Sequence, residues 1–481
     1  MTTTTPRTSL KVIALAVAGA VGGFLFGFDS SVINGAVDAV EGEFDLSASL
    51  TGFAVASALL GCAVGAYLAG RIADRWGRIP AMIVGAALFL ASALGCGFAF
   101  GVWDLILWRL VGGLGIGIAS VIAPAYIAEI SPRHMRGRLA SLQQLAITIG
   151  IFAALLSDAL FANGAGGAAE PFWFGLDAWR WMFLAGAAPA VVYGVIAFLL
   201  PESPRFLVLK ERDDEVRGIF ARIWPDDDVE RAIRDMRDAI KADELGSAKG
   251  ALGGNRFGLK PIVWIGIILS IFQQFVGINV IFYYSTTLWK SVGFEESDSF
   301  TISVITSVTN ILVTFVAIAL VDRVGRRPIL LFGSAGMALS LATMSLAFSQ
   351  ADVVDGAPSL PGAWGPIALV AANVFVVCFG ASWGPVVWVL LGEIFPTKIR
   401  ARALGIAAAA QWLANFAITV SFPPLADFSL VFTYGMYAAF AALSFVFVMR
   451  LVPETNGMSL EEANTLLPPK DSAKKGNPAR S

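Results

Sequence analysis

The chain has 481 residues, 57 % of them hydrophobic and only 15 % charged, with a mean hydropathy of +0.72. Soluble domains carry about a quarter charged residues, so this composition excludes one and points to a polytopic membrane protein. The net charge of −2 offers no basic field for nucleic acid, and the three cysteines, Cys62, Cys96 and Cys378, lie in apolar runs with neither a disulfide framework nor a metal spacing. Taken in order, apolar runs of about 20 residues recur twelve times, each long enough to span a bilayer. The first six lie near 11–36, 49–70, 80–101, 103–127, 139–161 and 179–200; the second six lie near 261–287, 300–321, 328–348, 365–391, 402–421 and 431–452. The first is too long for a cleavable leader and lacks a small-residue cleavage site. Between the two sets lies one long polar segment, Pro201 to Lys260, read as a solvated linker with short amphipathic helices. The expected organisation is a six-helix bundle over 1–200, the linker over 201–260, a second bundle over 261–452 and a tail over 453–481. The fold class is an all-α membrane protein.

Lys and Arg set the orientation. They gather at Arg7 and Lys11, Arg71 to Arg78, Arg133 to Arg138, the linker, Arg323 to Arg327, Lys398 to Arg402 and the tail. Loops near 37–48, 162–178, 349–364 and 422–430 hold none, and Lys290 is the main exception. Both termini and the linker are therefore expected in the cytoplasm of a cell-membrane protein. His134, the lone histidine, falls in a polar loop as a solvated residue.

The halves repeat. Asp74-Arg75-Trp-Gly-Arg78 follows span 2, and Asp322-Arg323-Val-Gly-Arg326-Arg327 follows span 8. Glu129-Ile-Ser-Pro-Arg-His-Met-Arg136 ends span 4, and Glu393-Ile-Phe-Pro-Thr-Lys-Ile-Arg400 ends span 10. Pro201-Glu202-Ser ends span 6, and Pro453-Glu454-Thr ends span 12. Parallel six-span repeats with a site where they face each other are a transporter plan. The carboxylates among the arginines suit gate pairs that close one state and break in another; positive charge that only sets topology would not need them.

Inside the spans, Gln273, Gln274, Asn279, Tyr283 and Tyr284 interrupt an apolar run. On a continuous helix Gln273, Gln274 and Asn279 share one side, and lipid cannot satisfy their amides. Either they bind a neutral polyhydroxylated ligand or they tie helices together. Asp29 in span 1 and Arg109 in span 4 each lie about 10 Å from the outer end of their span at 1.5 Å per residue, so they can pair. A lone charge there costs at least ~2.5–3.5 kcal/mol. Such a pair is either a static structural contact or a proton-coupling element. Asp104 and Asp158 lie near span ends and are expected to be solvated. No nucleophile–base set, metal spacing or phosphate loop is present, so an enzyme and a cofactor are not expected. The run Gly112-Gly-Leu-Gly-Ile-Gly117 reads as close helix packing.

These motifs, with Trp383-Gly-Pro-Val-Val-Trp388 and Pro201-Glu-Ser-Pro-Arg205, resemble those of the sugar porter family of the major facilitator superfamily over about residues 12–460. Within it the chain most resembles bacterial glucose permeases. The resemblance implies a monomeric secondary transporter of sugar and proton. By motif match, sugar would be met by Gln144, Gln273, Gln274, Asn279, Asn310, Trp388, Gln411, Trp412 and Asn415. Phe26, Tyr283 and Phe379 match aromatic or gating positions. The resemblance sets span 1 against span 4 and places Asp29 at the proton-coupling position of symporters. Some symporters carry a further acid in span 6, where this chain has Gly186. The reading is proton-coupled import of a hexose, D-glucose first; the alternatives are a passive facilitator and a sugar sensor, the latter ill served by a tail of about 29 residues.

Overall fold

The computed structural model describes residues 8–130, 136–223, 228–246, 258–354, 357–395 and 399–455. Within them twelve stretches are long and apolar enough to cross a membrane. The first five are α1 (Thr8–Phe44), α2 (Ala48–Trp76), α3 (Arg78–Gly97), α4 (Val102–Ile130) and α5 (Arg136–Ala165). The sixth is broken into α6 (Ala178–Ala185) and α7 (Ala187–Leu199). Three short helices follow, α8 (Pro204–Leu209), α9 (Asp213–Ile223) and α10 (Val229–Gly246). They close a small core of their own around Phe206, Leu207, Val216, Phe220 and Ile233; short helices were expected in the linker, a core was not.

The seventh span is α11 (Pro261–Phe275) and α12 (Ile278–Tyr283), continued by α13 (Ser285–Ser291). Then come α14 (Glu296–Val324), α15 (Arg326–Phe348), the broken α16 (Trp364–Gly380) and α17 (Trp383–Ile394), α18 (Arg400–Phe428) and α19 (Leu430–Leu451). A minimal antiparallel hairpin, β1 (Asp352–Val354) with β2 (Ala357–Ser359), pairs Asp352 with Ser359 between α15 and α16. It was not anticipated from an all-helical reading.

Helix α1 runs on to Phe44, eight residues past its apolar stretch, because hydropathy ends at Asp38 while the helix continues through Glu41 and Glu43. In the first half α1 lies along α5, and α4 packs on α2 and α3. In the second half α15 packs on α16 and α19, and α11 lies along α18. The halves meet most extensively where α2 packs on α18 and α5 on α14, and α1 also touches α12 and α13. Glycines let α2 and α4 meet closely: a Cβ at Gly113 would lie 2.0 Å from the Ala58 carbonyl oxygen, and one at Gly117 would lie 2.3 Å from that of Cys62. Part of the Gly112–Gly117 run thus serves packing, as expected.

Where α1 begins and α19 ends, here the terminal end, the repeated motifs fold alike. Gly77 (φ +109°) and Gly325 (φ +96°) turn the chain between helices in a backbone region that favours glycine. A Cβ at either would strike Glu202 or Glu454. Those carboxylates accept the first amides of the next helix. Arg78 N and Ile79 N reach Glu202 at 3.0 and 3.2 Å, and Arg326 N and Arg327 N both reach Glu454 at 3.0 Å. A carboxylate at a helix N-terminus satisfies donors that the helix leaves open.

Candidate functional site

Asp29 and Arg109 pair, as their depth in the sequence suggested. Arg109 Nη1 lies 3.3 Å from Asp29 Oδ2, and both side chains are buried. The guanidinium also donates to the main-chain carbonyls of Asp29 and Val55, each at 3.3 Å. Its Nε has no hydrogen-bond partner among the described residues. A cavity of about 10 Å³ touches both groups and is lined also by Phe26, Ser30 and Tyr283; that is scarcely room for one water.

Tyr283 brings the second half to this spot. Its hydroxyl lies near the side chains of Ser30 on α1 and Asn415 on α18. Beside it, Phe26 meets Trp412 edge-on with ring centroids 5.5 Å apart. Phe26, Tyr283, Trp412 and Asn415 are thus brought together with Asp29 where the halves meet.

The amides of the seventh span form a relay, but not on the continuous helix expected. Gly277 adopts φ +83° and separates α11 from α12. A Cβ there would lie 2.7 Å from the Tyr437 ring, so both backbone and space call for glycine. Asn279 Nδ2 donates to Gln274 Oε1 at 2.6 Å, and Gln274 Nε2 donates to Gln273 Oε1 at 3.5 Å. Gln273 Nε2 donates to the carbonyls of Trp383 and Gly384 at 2.9 and 3.3 Å, joining α11 to α17. Gln273 therefore does tie helices, while half-buried Asn279 leads the chain of amides outward.

Further polar candidates lie on α14 and α18. Gln411 Oε1 is buried without a partner among the described residues. Asn415 is buried and accepts from Thr419 at 3.1 Å, and Asn310 is buried beside Gly380. Gln144 and Phe379 are half-buried, and Trp388 is 44 % exposed. The unpaired acceptor of Gln411 and the exposed indole of Trp388 suit a polyhydroxylated ring, whose hydroxyls donate and whose C–H face is apolar.

At the terminal end, Arg78 grips Glu129 through Nε and Nη2 at 3.0 and 2.9 Å, and Arg326 grips Glu393 at 3.1 and 2.9 Å. Ser203 and Thr455 each donate to the matching glutamate at 2.5 Å. Asp74 adds a 3.4 Å contact to Arg78. Each of these clusters joins helices of one half. Arg75 and Arg323 are exposed. The side chains of Arg136, Asp322 and Arg400, and His134 as a whole, lie outside the described residues.

The opposite end holds residues that the sequence did not single out. Asn34 of α1 accepts Thr286 N at 3.1 Å, receives the Thr286 hydroxyl on its carbonyl at 2.6 Å, and reaches Ser303 at 3.5 Å. Asp38 takes the Thr287 hydroxyl at 2.6 Å and the Lys290 ammonium at 2.8 Å. Glu296, 3.9 Å from Lys290, accepts Ala168 N at 3.0 Å. All these bonds but the Lys290–Glu296 contact cross between the halves. Burial works against the Lys290 ammonium, but the Asp38 and Glu296 carboxylates outweigh it and hold its pKa above the ordinary lysine value. The signals were present as Lys290, the basic exception on a bare side, and as Asn34 and Thr286 in apolar company.

One expectation is corrected. Asp104 is partly exposed and caps the Phe100 amide at 3.2 Å, but Asp158 is fully buried, not solvated. Helix α5 extends to Ala165, and α1 covers the aspartate at Gly35.

Residues 15–467 match the family model described as "Sugar (and other) transporter". The chain is 54 % identical to a glucose transport protein of Synechocystis sp., over 94 % of this chain and 96 % of that one. It is 35 % identical to the D-xylose-proton symporter of Escherichia coli, over 97 % of each. Its structure matches that of the inward-open xylose transporter XylE from E. coli with a TM-score of 0.80 and 34 % identity, covering 95 % of this chain and 99 % of that one.

Proposed function

The chain belongs to the sugar transporter family of the major facilitator superfamily, and on that premise we propose that it imports a hexose, D-glucose first, together with protons by alternating access. The observation that carries the reading is the buried Asp29–Arg109 pair beside a cavity that Tyr283 of the second half also lines. An ion pair inside a membrane protein is costly to bury, and intramembrane charges mark transport and proton pathways. The name of the Synechocystis relative supports glucose, and that of the E. coli relative supports proton coupling.

The lysines and arginines crowd the terminal end, which we assign to the cytoplasm. The structure then represents the state closed to the outside, with Asn34, Asp38 and Lys290 as outer-gate residues. The paired clusters around Arg78 and Arg326 form the cytoplasmic rim that meets when the inner side closes. Sugar lies between the amides of Gln273, Gln274, Asn279, Asn310, Gln411 and Asn415, with Gln144 from α5 and the indoles of Trp388 and Trp412 over its ring.

Protonation of Asp29 from outside neutralises the carboxylate and frees the Nη1 of Arg109 from Oδ2. The guanidinium keeps the carbonyls of Asp29 and Val55, so it is not stranded. Ser30, next in the chain, passes the change to Tyr283 and so to the second half. Inward opening returns the proton to the cytoplasm, Asp29 pairs again, and sugar leaves.

The test is radiolabelled glucose uptake into proteoliposomes under an imposed proton gradient, with and without a protonophore, and with xylose, galactose and inositol as competitors. Uphill accumulation that collapses with the protonophore is expected. Equilibration to the same level in both conditions makes the protein a facilitator.

A further inference from the structure

One carboxyl within the membrane-spanning part has no place in the cycle above. Asp158 on α5 is 0 % exposed. Neither of its oxygens has a hydrogen-bond partner among the described residues. It packs on α1 at Gly35, where a Cβ would lie 2.7 Å from the Asp158 Cβ and 2.8 Å from Met182 Sδ of α6. The Gly35 amide is a polar neighbour, but an α-helix directs that hydrogen at the carbonyl four residues back. Ser31, one turn earlier on the same stripe of α1, also has a buried hydroxyl without a partner. The seam between α1 and α5 therefore holds two unsatisfied polar groups in succession.

Such groups are destabilising unless something offsets them, and an apolar side chain would fill the site at less cost. No side chain or main-chain group among the described residues offsets them in this conformation. A second conformation can. Asn34 precedes Gly35, and its bonds to Thr286 and Ser303 tie the halves together. When those bonds break, the Asn34 carboxamide and outside water become available to the same segment of α1.

The charged groups on the surrounding helices are engaged elsewhere. Asp29 pairs with Arg109 of α4. Asp38 holds Lys290, with Glu296 of α14 nearby. Arg180 of α6 pairs with Glu43 at the far end of α1. Among the described residues none contacts Asp158, so an ionised carboxylate there would stand alone.

We propose that Asp158 is a second proton-binding site of the transport cycle, occupied while the outer gate is closed and exchanging its proton with the outer solution when Asn34 releases Thr286 and Ser303. Acid then favours the closed outer gate, and rising pH favours its opening as the proton leaves. The inference rests on the alternating-access reading above and not on its proton coupling.

The experiment is equilibrium exchange of labelled glucose in proteoliposomes, with equal pH on both sides and no gradient, so that symporter and facilitator alike give a signal. Wild type is expected to exchange faster as pH rises from acid to neutral, by at most roughly tenfold per pH unit, the limit for one proton. Asp158→Asn, a neutral isostere, is expected to lose this rise and keep only the pH dependence that Asp29 contributes. A pH profile in Asp158→Asn identical to wild type overturns the inference. Absence of exchange by wild type overturns the alternating-access reading instead. Should Asp158→Asn not fold, infrared spectroscopy of the Asp29→Asn protein decides the matter. A buried carboxylic-acid carbonyl band persisting at neutral pH supports the inference, and no such band overturns it.

Discussion

At the terminal end, charge ties each half of the molecule to itself. At the opposite end, hydrogen bonds and one ion pair tie the halves to each other. The terminal clusters are near copies: a two-pronged Arg–Glu grip, a hydroxyl on the glutamate and a second carboxylate capping the next helix. The opposite end has no such symmetry; Asn34, Asp38 and Lys290 belong to α1 and α13 alone. The sequence suggested the repeated clusters as pairs that break between states, yet here each lies within one half; the contacts that cross between the halves are the asymmetric ones at the opposite end.

The largest test of that contrast is to break a terminal grip. Arg78→Ala takes from half-buried Glu129 its two-pronged partner and leaves it the Ser203 hydroxyl and Arg205 at 4.0 Å, so the cost should approach but not exceed the about 3–5 kcal/mol of a fully buried pair that loses one partner. The melting temperature in detergent should fall sharply, and Arg326→Ala should cause a similar or somewhat smaller fall, because Glu393 is more exposed than Glu129. An unchanged melting temperature in either variant would break the equivalence of the clusters.

Asn34→Ala should leave the melting temperature nearly unaltered and act on the gate instead. Losing its buried bonds to Thr286 and Ser303 should shift the balance toward the outward-open state by about 1–3 kcal/mol. Alkylation from outside of a cysteine placed in the seam between the halves would report the shift.

Lys290→Ala should act in the same direction but more weakly, within about 0–1 kcal/mol, because its pair with Asp38 is one-third exposed. High salt should erase the difference. The raised pKa of Lys290 means that its contribution is complete below the ordinary lysine value and is lost only as pH climbs through the raised one. The effect of the variant on exchange should therefore be constant through neutral pH and vanish in strong alkali.

Much of this was legible in the sequence because bilayer thickness and charge placement act locally. The twelve spans follow from run length, and the motif pairs expose the repeat. Asp29 and Arg109 could be matched by their depth together with the family resemblance that sets span 1 against span 4. Properties set by backbone conformation or by a distant helix were not legible. Gly277 breaks the seventh span through a left-handed φ that hydropathy cannot register, so the amides expected on one helix face are split between α11 and α12. Asp158 was placed near solvent because its apolar run stops early, yet the helix continues and α1 covers it. Asn34 and Thr286 are ordinary polar residues until the fold brings positions 252 apart into contact. Lys290 broke the charge rule, and only the structure gives it Asp38 as the reason.

The most direct measurement of the central claim is the pair of activities left in Asp29→Asn. That variant removes the charge facing Arg109 while keeping the shape of the side chain. Reconstituted beside wild type, it should still exchange labelled glucose across the membrane but fail to accumulate it under a proton gradient. Accumulation equal to wild type would contradict the claim and leave the Asp29–Arg109 pair a structural contact.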